Sequence, residues 1–309
     1  MSSLSFDMTD EARAVARVKG GANDGEVLFL HENKTGGRKP KVYTDKSKYL
    51  PDDMKYTDKK KAIADLDSAL KEDCDAGLSS ALKTIFEKIK RDEAASTRIE
   101  LDDDGMFELL PPTDPKKRSV YYIAGQSGSG KSWIAKQLAT YYHKLFPSRG
   151  VYLISKLEQD DTLDALKFLK RVKIQSFVDD YPKLEEFTDC MTIWDDYDTL
   201  VGDAGKVVHQ LIDDLAIQGR HSNTTMLCLS HYLTNYKKTR LLLNEATNVI
   251  VYPLSTSYHA LKYMLKNYCG VEEEDLKRHR KSGSRWLMYS KGYPQYVITQ
   301  HSAELLHQH

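Results

Sequence analysis

From residue 118 onward, short apolar runs alternate with longer stretches of helical period. The runs at 119–124, 151–155, 190–194, 225–230 and 248–252 read as buried strands. Between the first two, Ile134, Leu138, Tyr141 and Leu145 recur on one helical face. Val207, Leu211 and Leu215, with Val208 and Ile212 beside them, predict a strong amphipathic helix before the run at 225–230. A last pair, 285–290 and 295–299, is joined by Lys291-Gly292-Tyr293-Pro294 and reads as a β-hairpin. Strands alternating with helices predict an α/β domain over 118–309, with a mainly parallel sheet covered on both faces.

The first 117 residues follow another pattern. A strand is expected at Glu26–Leu30 and a short one at Phe107–Leu110, stopped by Pro111-Pro112. Residues 33–60, rich in Lys, Asp, Gly and Pro, read as an exposed, flexible segment. Residues 61–93 carry two apolar stripes: Ile63, Leu66 and Leu70, then Leu78, Leu82, Ile85 and Ile89. Gly77 separates the two helices they predict. This smaller α+β region contains no catalytic motif, and its role is unassigned.

Composition narrows the class. Of 309 residues, 40% are hydrophobic and 29% charged, a globular rather than a disordered profile. No apolar run approaches about 18 residues, so no membrane-spanning helix is expected. The start, Met1-Ser2-Ser3-Leu4-Ser5-Phe6-Asp7, lacks the basic and apolar regions of a signal peptide. Cys74, Cys190, Cys228 and Cys269 form no C-x-x-C pair, which suits reduced thiols and argues against a zinc ribbon. Net charge is zero, so a nucleic-acid partner would have to be held by local basic patches.

The strongest chemical signal is Gly125-Gln126-Ser127-Gly128-Ser129-Gly130-Lys131-Ser132, a complete phosphate-binding loop between a predicted strand and a predicted helix. The glycines let backbone N–H groups turn inward around phosphates, and the helix start adds partial positive charge. Lys131 can reach the β- and γ-phosphates of ATP, and the Ser132 hydroxyl can ligate Mg²⁺. Hydrolysis also needs carboxylates. Cys190-Met191-Thr192-Ile193-Trp194-Asp195-Asp196 is an apolar strand ending in two of them. Asp195 would hold the metal and Asp196 would polarise the attacking water. A strand running into an acidic turn is the plain alternative, since Asp198 follows. Asp160-Asp161 reads as the capped start of a helix, and Asp179-Asp180 as part of a turn.

Gly219 is expected to end the amphipathic helix, placing Arg220 in the loop before the strand 225–230. An exposed loop arginine is ordinarily solvated. In an oligomeric ATPase it can instead reach a neighbour's γ-phosphate. Ser230 and His231 end that strand, where a polar side chain could sense the γ-phosphate, or His231 could be a satisfied, partly buried histidine. Two basic runs, Tyr236–Arg240 and Lys277–Arg285, could track a phosphate backbone, or be solvated segments balancing Glu272–Asp275.

Ile123–Ser132, Trp194-Asp195-Asp196, Gly219-Arg220-His221, Arg285-Trp286-Leu287 and Tyr293-Pro294-Gln295-Tyr296-Val297, in this order, resemble the poxvirus-type DNA-packaging ATPases of nucleocytoplasmic large DNA viruses. That family belongs to the FtsK/HerA group of P-loop translocases. The resemblance covers roughly 118–300. It implies a RecA-like fold, a ring homo-oligomer, ATP with Mg²⁺, double-stranded DNA as the translocated substrate and capsid components as partners. It also implies a site of action in the viral factory of the host cytoplasm, with the virion as a second location. The family commonly carries Gln where His231 stands, and often Glu where Asp196 stands. A small-molecule or nucleoside kinase, with 277–285 as an arginine-rich lid, and a nucleotide-gated virion assembly protein are the alternative readings.

Overall fold

The computed structural model describes residues 2–8, 12–32, 49–51, 53–72 and 74–306. At the N-terminus, β1 (Ser3–Ser5), β2 (Ala12–Lys19) and β3 (Val27–His31) join β5 (Met106–Leu109) in an antiparallel sheet of order β1-β3-β2-β5. Between β3 and β4 (Arg98–Glu100) stand α1 (Tyr56–Glu72) and α2 (Ser80–Thr97). Gly77, at φ +93°, turns the chain between them. The flexible segment expected at 33–60 lies largely outside the described residues, and its last turn, from Tyr56, is already helix.

The remaining strands are β6 (Val120–Ala124), β7 (Val151–Ser155), β8 (Leu169–Val172), β9 (Met191–Asp195), β10 (Thr225–Ser230), β11 (Asn248–Val251), β12 (Leu287–Ser290), β13 (Tyr296–Thr299) and β14 (Ser302–Leu305). With β4 they form a ten-stranded sheet, order β4-β14-β13-β12-β11-β6-β10-β9-β7-β8. Pairing is parallel from β11 to β8 and antiparallel from β11 to β4. Thus the phosphate-loop strand β6 and the Asp195 strand β9 are not neighbours. β10 runs between them, the arrangement of RecA-like P-loop NTPases.

Strand periodicity sorts the core. Val120, Tyr122 and Ala124 face one side, with Phe177 of α4 (Ile174–Asp179) and with Val208, Leu211, Ile212 and Leu215 of α5 (Gly202–Gln218). Leu242 of α6 (Tyr236–Glu245), Leu261 of α7 (Tyr258–Cys269) and Leu276 of α8 (Glu273–Lys281) complete that layer. Tyr121 and Ile123 face the other side, against Ile134 and Leu138 of α3 (Lys131–Leu145). There, Leu28, Leu30, Phe107 and Leu109 of the small sheet extend the same cluster. The small sheet is therefore a third layer on the large one, and β4 pairs with β14 at its edge. The boundary expected at 117/118 marks a change of sequence pattern, not a gap in the core.

On α3 the buried stripe is Ile134, Leu138 and Tyr142, with Ala135 and Ala139, rather than one ending in Tyr141 and Leu145. Tyr141 turns its hydroxyl to Glu108 Oε2 at 2.5 Å, and Leu145 is exposed. A 3.6-residue period leaves two parallel stripes close to equivalent, and contact with the small sheet decides between them.

Candidate active site

The phosphate loop follows β6 directly. Gly130 caps α3 at φ +111°, a backbone position that disfavours any side chain. A Cβ at Gly125 would lie 2.6 Å from both Ser129 Oγ and the Tyr252 ring, so glycine is required there by space. Lys131 is only 7% exposed and folds back on its own loop, donating to Gly125 O at 2.8 Å and Gln126 O at 3.1 Å. Burial pushes its pKa down, against the pull of Asp196, Asp195 and Asp198. These aspartates and the loop lysine therefore share one cleft, at the C-terminal ends of β6, β9 and β10.

Asp195 closes β9 and is 4% exposed. Burial, then the neighbouring Asp196 charge, push its carboxyl up to about 6, although Ser155 Oγ donates to it at 3.1 Å. A buried, unneutralised carboxylate near a serine hydroxyl is a hard-oxygen donor set that suits Mg²⁺. Among the described residues no three His, Cys, Asp or Glu side chains could hold a metal alone. The phosphates of a nucleotide would have to complete the shell, as at other phosphate-loop sites.

Asp196 follows at φ +53°, a left-handed conformation uncommon for aspartate. That turn starts a 3₁₀ helix, Tyr197–Thr199, and drops Asp198 beneath the end of β10. His231 stands beside both: its Nδ1 is 3.5 Å from Asp196 Oδ1 and 3.4 Å from Asp198 Oδ1.

Three residues that touch the loop or His231 were named in the sequence without a role in the site. Asp160 does cap backbone N–H groups, those of Thr162 and Leu163, but at a turn rather than a helix, and its other oxygen accepts from Ser132 Oγ at 3.3 Å. Arg285, grouped by sequence with a basic run, lies on the phosphate loop with Nε donating to Ser129 O at 3.2 Å. Most of that run is α8, where Arg278 pairs with Asp275 and Glu304, and Lys277 with Glu273. Asp198 was visible only as an acidic neighbour. Its side chain is fully buried.

Arg220 is exposed, and it lies at the other end of the sheet. Its loop is tied to the segment that leads into β6: Asn223 donates to Pro115 O at 2.6 Å. The five residues of β6, about 16 Å of strand, separate that end from the phosphate loop. Gly219 does end α5, but in a right-handed conformation. Close approach requires the glycine, since a Cβ there would meet Leu215 O at 2.4 Å and Arg118 Nη1 at 2.5 Å.

No family model matches the chain. The uncharacterized protein V3 of Sputnik virophage is 34% identical over 217 residues, covering 67% of this chain and 88% of that protein. The chain belongs to the protein V3 family. Solved structures of similar arrangement include a genome packaging NTPase, B204 of Sulfolobus turreted icosahedral virus 2, in complex with AMPPCP. It matches at 13% identity and a TM-score of 0.42, over 61% of this chain and 98% of that one. The pCW3 conjugation coupling protein TcpA matches at 15% identity and a TM-score of 0.42, over 94% of this chain and 77% of that one. Among the described residues no helix is long and apolar enough to cross a membrane.

Proposed function

We propose that this protein family member is an Mg²⁺-dependent ATPase that drives double-stranded DNA into a viral capsid. The observation that carries the hydrolytic part is the convergence of Lys131, Asp195, Asp196 and His231 beyond the C-terminal ends of β6, β9 and the strand between them. The order of motifs that resembles DNA-packaging ATPases supports the DNA and capsid part.

In this reading the loop 125–132 wraps the β- and γ-phosphates with backbone N–H groups. Lys131 exchanges its two carbonyl partners for phosphate oxygens. Ser132 and Asp195 would hold Mg²⁺, which would supply positive charge against the β- and γ-phosphates. Asp196 polarises the attacking water, and His231 senses the γ-phosphate. Arg285 contributes a guanidinium from the same chain at the rim of the loop. Arg220 cannot reach its own nucleotide. As a trans-acting group it would serve a neighbour's γ-phosphate in a ring of identical subunits. Such a protein would act in the viral factory of the host cytoplasm and at the virion.

A kinase is the less favoured reading, because the segment that would form its arginine-rich lid is helix α8, whose Arg278 is held by Asp275 and Glu304. The deciding experiment measures ATP hydrolysis alone, with double-stranded DNA, and with small-molecule acceptors. Stimulation by DNA is expected. Turnover that requires an acceptor would make the protein a kinase. Slow turnover indifferent to both would make it a nucleotide-gated assembly protein.

A further inference from the structure

We propose that Asp198 is the positioning residue that fixes the His231 ring toward Asp196. The inference rests on reading the cleft as a site of ATP hydrolysis.

The Asp198 side chain has no exposed surface, yet no lysine or arginine side chain pairs with its carboxylate among the described contacts. The nearby Lys238 ammonium goes instead to the Asp198 backbone carbonyl, at 2.7 Å. What satisfies the carboxylate is the end of β10. Oδ2 accepts from Ser230 Oγ at 2.9 Å and from the His231 backbone N–H at 2.7 Å. Oδ1 lies 3.4 Å from His231 Nδ1. A buried carboxylate is tolerated only where donors converge on it, and here they all come from two consecutive residues.

The ring geometry follows. His231 Nδ1 faces two carboxylates, Asp198 at 3.4 Å and Asp196 at 3.5 Å. A bare nitrogen lone pair against two anionic oxygens would be repelled, so Nδ1 carries a proton. That fixes the ring's orientation and leaves Nε2 as the atom available to a phosphate oxygen or the attacking water. Asp198 thus reaches the chemistry only through His231.

A double-mutant cycle tests the assignment. Asp198→Asn keeps the shape and one acceptor but removes the charge that holds Nδ1–H. In the wild-type background kcat should fall by about tenfold or more, with KM for ATP changed less than about threefold. In a His231→Ala background the same substitution should change kcat by less than about twofold, because the ring it orients is gone. An equal fall in both backgrounds, or no fall in the first, overturns the proposal. A second readout uses the unsubstituted protein. In ¹⁵N-histidine NMR, with the His231 ring assigned by its loss in His231→Ala, Nδ1 should be protonated, and an unprotonated Nδ1 overturns the proposal even if Asp198→Asn fails to fold. Absence of ATP hydrolysis by the unsubstituted protein would count against the proposed function, while the ring readout would still judge Asp198.

Discussion

Replacing Lys131 by alanine separates a structural lysine from a phosphate-binding one. Without nucleotide, its ammonium makes two hydrogen bonds to loop carbonyls, at 2.8 and 3.1 Å, and is almost wholly buried. Hydrogen bonds from a charged group contribute about 1.5–3 kcal/mol, but burying the ammonium offsets much of that, as its lowered pKa indicates. The net change in stability without nucleotide should be about 1 kcal/mol or less, a shift in Tm of at most about 2 °C. With nucleotide the balance is different. The lost charge-assisted contact to phosphate has no replacement and should cost roughly 2–4 kcal/mol, about 30- to 1000-fold. Thermal unfolding with and without ATP, beside steady-state hydrolysis, reads both numbers. The expected result is a nearly unchanged Tm without nucleotide, a lost shift with it, and abolished turnover. Turnover near that of the unsubstituted protein would refute the phosphate-loop assignment.

Asp196→Asn should retain Mg-ATP binding and lose hydrolysis, whereas Asp195→Asn should weaken the Mg²⁺ dependence; normal hydrolysis by Asp196→Asn would hand the water to another group. Because burial raises Asp195 to about 6, protons compete with the metal below that pH, and apparent Mg²⁺ affinity measured by titration should fall by up to about tenfold per pH unit. Subunits carrying Arg220→Ala and subunits carrying Lys131→Ala should each be inactive, and mixing should restore partial activity; no rescue, with a rate per subunit constant on dilution to monomer, would make Arg220 a surface residue. Glu304 is raised by burial, but hydrogen bonds from His279 and Arg278 bring it down to about 2, so its stabilising effect is present above pH 4.5 and lost as pH falls toward 2. Glu304→Gln should therefore lower the denaturant midpoint by an amount equivalent to about 3 kcal/mol near neutral pH, and progressively less in acid.

What the sequence made legible was whatever repeats or ends abruptly. β6, β7, β9, β10 and β11 are mostly apolar runs because both faces of a parallel sheet are covered, and each was placed within a residue or so. The phosphate loop and Asp195-Asp196 were legible because local spacing itself carries their chemistry. β8, with Leu169-Lys170-Arg171-Val172, lacked that signal because it is an edge strand, which needs apolar residues on one face at most; β14, interior between β13 and β4, lacked it because its four residues include a buried glutamate, Glu304. Long-range contacts hid the rest of the site. Arg285 meets Ser129 across 156 positions, and Ser132 meets Asp160 across 28, distances over which no periodicity operates. Asp198 was hidden differently: it sits two residues from Asp196, and only the left-handed turn at Asp196 decides that it points inward.

The pairing of β4 with β14 has a practical consequence for anyone trimming the chain. A fragment beginning at residue 118 keeps every motif of the cleft and looks self-sufficient on paper. It would nevertheless leave β14 as a bare edge with unpaired backbone groups, and would strip Leu28, Leu30, Phe107 and Leu109 from the apolar face beside α3. An open edge next to uncovered hydrophobic surface is a template for self-association. Such a fragment should precipitate or form aggregates, and a weak ATPase signal from it would report on the cut rather than on the catalyst.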